Sequence, residues 1–361
     1  MGNRYRPVAV GRFGIRARED IYTKELAKDY SKNKVIHQNT LTVGMGSKQI
    51  DIGILTSEDR YSVSPAYHTY RICEVDCDYL RYCLEARNAD MFKRFAKRGT
   101  RQGKTIDLKR WLGYRIYLPS KERQVAVVRR LDAIERQIDN CKSMGQRLDD
   151  LVKSQFMEIF SECLGDKVSL SDVVWFQEGP GVRNYQYTAH GVKLLNVANL
   201  HDGELDISNT GRYISEEEAY GRYRHFLVEE GDLIIASSGI KVDYFDQKMG
   251  FAKKEQLPLC MNTSTIRFRA IDSRLNMIFF MYYLKSDDFK QQLARQITGS
   301  AQLNFGPSHL KKMSVPMPPF ALQQQFADFV AQVDKLGFDC YREIVCCNVL
   351  FSSMSASLLC T

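Results

Sequence analysis

The stretch Lys121–Glu162, KERQVAVVRRLDAIERQIDNCKSMGQRLDDLVKSQFMEIFSE, decides how the rest of the chain is read. It has no proline and a single glycine, Gly145, so nothing in it forces a helix to stop. Val127, Leu131, Ile134, Ile138, Cys141, Gly145, Leu148, Val152 and Ile159 fall almost entirely on alternating steps of four and three, broken only where Gln155 takes the position between the last two. That is the narrow seam of a coiled coil, not the broad apolar face of a globular helix. Arg123, Arg129, Arg130, Glu135, Arg136, Lys142, Arg147 and Lys153 charge the remaining faces. At 1.5 Å per residue such a helix reaches roughly 60 Å. A seam this narrow needs a second helix.

The second helix lies 199 residues downstream. The shifted seam reads Phe326, Val330, Val333, Gly337, Cys340, Ile344, Cys347, Phe351 and Leu358, all small or apolar. The approach repeats too: Leu118-Pro119 matches Met317-Pro318, and Gln124 matches Gln323. An internal repeat of this length governs the fold. It divides the chain into a globule (1–118), a long helix (119–163), a second globule (164–318) and a second long helix (319–361). The predicted class is α+β: two globular α/β domains separated by two long helices that pair as an antiparallel coiled coil.

The totals suit this plan. With 361 residues, 44% hydrophobic and 26% charged, the chain is long enough for two or more folded domains. Its net charge of +8 suits a polyanionic partner without requiring one. The first residues, MGNRYRPVAVGRFGIR, contain no apolar core of a secretion signal. The longest apolar run, Met277–Leu284, has eight residues, too few to span a membrane. Ten scattered cysteines point to free thiols in a reducing compartment, so a cytoplasmic location is expected.

Within the first globule, Val35–Ile54 reads as strands joined by a tight loop and Val63–Val75 as another strand. Asp78–Arg98 reads as a helix with Leu80, Leu84, Phe92 and Phe95 inward. The second globule echoes these in order: Leu233–Asp243 follows Leu41–Asp51, Asn262–Arg269 follows Ser64–Arg71, and Phe279–Leu284 follows Tyr79–Leu84. The fronts are unequal. The second globule spends 69 residues (164–232) before Leu233, the first only 40 before Leu41, so the first is expected to be shortened.

No catalytic constellation emerges. Gly99-Thr-Arg-Gln-Gly103-Lys104-Thr105 resembles a phosphate loop, but it has three residues between the glycines and follows a helix. Met317-Pro-Pro-Phe320 lacks the polar first residue of a methyltransferase amine-binding loop and reads better as a proline stop before a helix. Cys73, Cys77 and Cys83 do not have zinc spacing. No metal, cofactor or catalytic residue is expected. Polar and basic loops instead recur in both globules: Ser47, Lys48 and Gln49 with Arg101, Gln102 and Lys104 in the first, and Ser238 and Lys241 with Ser300 and Gln302 in the second. These side-chain types read base edges and hold phosphates. Singly each reads as a solvated turn; recurrence is what marks them as candidates for DNA binding.

The whole arrangement resembles the specificity subunit of type I DNA restriction–modification systems. The matching stretches are Asn39–Ile54, Arg60–Tyr70 and Pro119 through Phe160 in the first half. In the second half they are Gly231–Gly239, Leu284–Asn304 and Val315–Asp334. The resemblance implies two target-recognition domains, each reading half of a bipartite site in double-stranded DNA, with the helix pair setting the gap. It implies a non-catalytic chain that holds two adenine methyltransferase subunits and, through them, the ATP-dependent endonuclease subunits. The shortened first globule keeps an alternative open: a truncated or decoy paralogue that scaffolds methyltransferase subunits without specific readout.

Overall fold

The computed structural model of the protein describes residues 5–11, 14–21, 29–98, 104–163, 165–208, 210–296 and 304–360. Two compact units emerge: residues 1–145 with 338–361, and residues 146–337. Both boundaries fall inside long helices, beside Gly145 and Gly337.

Unit 1 runs β1 (Val8–Gly11), β2 (Gly14–Ala17), β3 (Lys34–Ile36), β4 (Thr40–Met45), β5 (Ile50–Leu55), β6 (Tyr61–Val63) and β7 (His68–Arg71). Helices α1 (Cys77–Ala86) and α2 (Asn88–Phe95) follow, then β8 (Ala96–Arg98), β9 (Lys104–Ile106), α3 (Leu108–Trp111) and the first part of α4 (Lys121–Phe160). Its main sheet has the order β5-β4-β7, antiparallel throughout. Val43, Ile50, Ile52, Leu80, Leu84, Met91, Phe95 and Trp111 close the core between that sheet and the helices.

Two expectations need correcting here. Val63–Val75 is two strands, not one, because a turn at Ser64-Pro65 intervenes, closed by Tyr67 N–H donating to Ser64 O at 3.1 Å. The Tyr67 ring then lies against Gly44, where a Cβ would collide with it. Asp78–Arg98 is two helices and a strand, broken at Arg87, where φ −103° and ψ 3° leave the helical region. Leu80, Leu84 and Phe95 are buried as predicted, Phe92 is half-buried, and Met91 takes the inward position.

Unit 2 contains β10 (Lys167–Ser169), α5 (Leu170–Val173), β11 (Val174–Glu178), β12 (Val192–Leu195), β13 (Leu200–His201), β14 (Glu204–Leu205), β15 (Tyr213–Ile214) and α6 (Glu216–Tyr220). It continues with β16 (Leu233–Ala236), β17 (Met249–Phe251), β18 (Leu259–Met261), β19 (Thr265–Ala270), α7 (Met277–Lys285), α8 (Asp287–Gln296), α9 (Pro307–Leu310), β20 (Ser314–Pro316) and the first part of α10 (Phe320–Cys360). Its main sheet, β11-β19-β16-β17, contains the order of unit 1 with one strand added: β19, β16 and β17 stand where β7, β4 and β5 stand. Among the described residues, the outer edge of β7 has no strand corresponding to β11.

The class is α+β, with two domains and long helices paired antiparallel. In unit 1, α1 packs on Val127 and Leu131 of α4, with Phe351 and Met354 of α10 at the border; the rings of Tyr82 and Phe351 lie 5.8 Å apart. In unit 2, Phe156 and Phe160 of α4 meet Phe326 of α10 at ring distances of 5.4 and 5.6 Å. The seam residues Val127, Leu131, Ile138, Cys141, Val152, Phe326, Val330, Val333 and Cys347 are buried, and Ile134, Leu148, Ile344 and Phe351 are half-buried. Towards its end α4 departs from the predicted seam. Phe156 and Phe160, four apart, are buried while Ile159 is only partly so, because the helix there meets the broad core of unit 2.

Both repeats are joined to their long helix in the same way. Gln124 is buried in the first turn of α4; its amide donates to Pro119 O at 2.9 Å, and its carbonyl accepts from Asp76 N–H at 2.9 Å. Gln323 does the same in α10, donating to Pro318 O at 2.8 Å and Arg274 O at 3.0 Å and accepting from Asn276 N–H at 2.9 Å. Asp76 and Asn276 are the N-caps of α1 and α7. Replacing either glutamine with leucine leaves buried backbone groups unpaired, so Gln124→Leu and Gln323→Leu should each cost ~2–3 kcal/mol. Urea unfolding of the two variants, read as a fall in midpoint at constant slope, checks this.

Candidate nucleic-acid interface

Ser47, Lys48 and Gln49 form the tip between β4 and β5, whose last pair is Met45 with Ile50. The turn is closed by Gly46 N–H donating to Gln49 O at 3.0 Å. Ser47 and Lys48 are exposed and Gln49 is half-buried. Gln49 hydrogen-bonds Asp51, which partly offsets the rise that burial imposes on that carboxyl. The tip is held from below by Asn88, at the start of α2, which donates to Ile50 O at 2.8 Å and accepts from Ile50 N–H at 3.0 Å. A short turn, clamped on both groups of one residue, presents Lys48 without letting the strand slip.

Of the second predicted loop, Arg101 and Gln102 lie outside the described residues. Lys104 opens β9, which pairs with β8.

In unit 2, Ser238 and Lys241 lie in the connection between β16 and β17, the topological counterpart of the β4–β5 tip. Gly239 there has φ +79°, a conformation that favours glycine, and Lys241 is exposed. Ser300 and Gln302 lie outside the described residues, but the chain that resumes at Asn304 is brought to this connection. Ser238 bridges to Asn304, and Phe305 N–H donates to Ser237 O at 3.0 Å. The structure thus joins two stretches that the sequence placed about 60 residues apart.

Sequence reasoning missed the polar centre of unit 2. Arg267, on β19, is 4% exposed at its side chain and faces the 1% exposed Asp232 at 3.3 Å. Its guanidinium also donates to Gln177 Oε1 at 2.7 Å and to the backbone oxygens of His225 and Leu227, each at 2.6 Å. Arg269 forks onto the same Asp232 carboxylate, and Trp175 covers both guanidiniums at 4.9 and 5.4 Å. Burial pulls the Arg267 pKa down, and Asp232 opposes that pull. The network ties β11, β19 and the 225–232 loop together just before β16 begins. Its only sequence signal was the alternating Thr-Ile-Arg-Phe-Arg of β19, which places two arginines on one strand face.

Residues 172–343 match the family described as "Type I restriction modification DNA specificity domain". That match lies within the second repeat of the chain. It agrees with the family resemblance read from the sequence, and the matched region takes in the Asp232 network and the β16–β17 connection. The chain is also similar to the type I restriction enzyme MjaVIII specificity subunit of Methanocaldococcus jannaschii, at 22% identity over 252 residues. That match takes in 64% of this chain and 58% of the relative, so the chain spans less than two thirds of that relative's length. Two solved structures share the fold. The S subunit of a type I restriction–modification system from M. genitalium has a TM-score of 0.52 at 15% identity, over 98% of this chain and 93% of that one. A chain from a type I restriction–modification complex whose assembly and conformational transition were described has a TM-score of 0.54 at 14% identity, over 92% and 84%. Among the described residues, no helix is long and apolar enough to cross a membrane.

Removing Asp232 strands a buried guanidinium. Asp232→Ala is expected to destabilise the chain by ~3–5 kcal/mol, seen as a lowered thermal midpoint, and more severely than Glu229→Ala at the exposed edge of the same network.

Proposed function

We propose that the chain is the DNA-reading subunit of a type I restriction–modification complex and catalyses nothing itself. Unit 1 reads one half of a bipartite site through the β4–β5 tip, and unit 2 reads the other through the β16–β17 connection. The paired helices α4 and α10 set the gap of unread base pairs between them. The observation that carries this reading is the equivalence of the two units. The same three-strand order, the same glutamine closure and a cationic, glycine-containing connection at the same topological position occur twice. Duplicated reading heads suit a two-part target, and lysine, serine and glutamine are side chains suited to phosphates and base edges.

Two methyltransferase subunits, which take S-adenosylmethionine to modify adenine, are the proposed protein partners, with the restriction subunits joining through them. Support comes from the outer face of α10. Phe338, Tyr341, Val345 and Val349 share one face and are 60%, 62%, 45% and 66% exposed. An apolar stripe of this kind on a helix suits a protein partner. A scaffold without specific readout remains the second reading, favoured by the outer edge of β7, which among the described residues has no strand beside it.

The test is to express the chain with its methyltransferase partner in cells lacking DNA modification and to map methylated bases genome-wide. A two-part adenine motif that requires both proteins is expected. Lys48→Ala should relax one half of that motif and Lys241→Ala only the other. A co-purifying complex that methylates no defined motif would favour the scaffold. Tyr341→Glu with Val349→Lys should abolish co-purification of the methyltransferase and leave the circular-dichroism spectrum unchanged.

A further inference from the structure

A concavity of about 560 Å³ in unit 1 is lined by Arg87, Arg94, Lys109, Arg110 and Arg115, with Phe95 and Tyr114 at its base. Among the described residues only one of these five cations is ion-paired: Arg94 donates to Asp90 at 2.8 Å. Asp90 is shared with the Tyr114 hydroxyl at 3.3 Å, and the Arg110 guanidinium rests over the Phe95 ring at 5.9 Å. Arg94, Lys109, Arg110 and Arg115 are exposed and Arg87 is half-buried. Like charges held this close repel unless an anion stands between them.

The repeat shows what the same place looks like without that charge. Phe95 corresponds to Leu293 and Met91 to Phe289, which puts Gln292 where Arg94 is. The Pro119–Pro318 match puts Ser314 where Arg115 is, and Ser308 and His309 where Lys109 and Arg110 are. In unit 2 this site is closed from within. Ser314 N–H donates to Gln292 Oε1 at 3.0 Å, Gln292 Nε2 donates to Ser314 O at 3.1 Å, and β10 pairs along β20. Unit 1 has exchanged a self-satisfied glutamine–serine pair for two arginines that cannot bond each other. Among the described residues, it also has no strand over residues 115–117.

We propose that this concavity binds the phosphodiester backbone of duplex DNA, a contact that unit 2 lacks at the equivalent place. Duplex DNA is the favoured polyanion because the concavity adjoins the reading tip. Arg87 is followed by Asn88, whose side chain clamps Ile50 at the foot of the Ser47-Lys48-Gln49 turn. Backbone contacts position a reading head without choosing a sequence. Unit 1 therefore contributes salt-sensitive grip and unit 2 contributes less of it. The inference rests on the DNA-reading function proposed above.

The experiment installs the unit 2 residues in unit 1. The Arg94→Gln, Arg115→Ser double variant and the charge-keeping Arg94→Lys, Arg115→Lys variant are prepared in the full chain, co-purified with methyltransferase. Binding to a labelled mixed-sequence duplex is titrated at several salt concentrations. Each lost phosphate contact removes about 0.9 from the slope of log K against log salt, so the Gln/Ser variant should lose about 1.8 and bind roughly tenfold more weakly. The lysine variant should keep the wild-type slope, and the methylated motif should be the same in all three. An unchanged slope and affinity in the Gln/Ser variant, with wild-type melting, overturns the inference and leaves the reading function standing. Loss of methyltransferase co-purification in that variant also overturns it, by assigning the concavity to a protein partner. Failure of the wild-type complex to bind DNA at all overturns the function proposed above instead.

Discussion

A glutamine in the first turn of each long helix is the contact on which the remaining structure depends. A buried amide must place both its donor and its acceptor, and Gln124 and Gln323 take the same two kinds of partner, to which Gln323 adds Arg274 O. Each pairs backwards with the proline turn that starts its own helix and sideways with the N-cap of the globule's first core helix. The direction in which the long helix leaves its globule is therefore fixed by hydrogen bonds as well as by packing. Leucine would fill the same space but would leave the N-cap amide and the proline carbonyl without partners.

Around that shared joint the two units differ. Unit 2 secures its sheet from within, through the Asp232–Arg267–Arg269 fork beneath Trp175 and through Gln292 against Ser314. Among the described residues, unit 1 has a smaller main sheet and its cations line an open concavity without equivalent closure. Arginine inside unit 2 is structural, held by carboxylate, backbone oxygens and an indole face. Arginine at the rim of unit 1 has spare donors. The same side chain does different work depending on whether its partners lie within the fold.

Much of this was legible in the sequence because it is local or periodic. The four–three seam located both helices, and the constant offset of the repeat matched Gln124 to Gln323 before their partners were visible. Helix α2 was hidden because Arg87 breaks the backbone without proline or glycine to mark the break. Phe156 and Phe160 were missed because a seam pattern was carried past the point where the helix enters a broad core. The Asp232 network and the unit 1 concavity are hard to read in the sequence for a common reason: each gathers residues from separate elements, and charge in a linear sequence does not reveal its partners. Of the predicted loops, the structure positions Ser47, Lys48, Gln49, Ser238 and Lys241 on corresponding connections, whereas Arg101, Gln102, Ser300 and Gln302 lie outside the described residues.

The central proposal is that the helix pair measures the distance between two half-sites. Adding one heptad, about seven residues, after Gly145 and after Gly337 keeps both seams in register and lengthens each helix by about 10 Å, roughly three base pairs of B-DNA. Mapping methylated bases in cells that carry this chain and its methyltransferase is the most direct measurement. The two half-sites should be unchanged and the unread gap between them longer by about three base pairs. An unchanged gap, with both half-sites still methylated, would contradict the account.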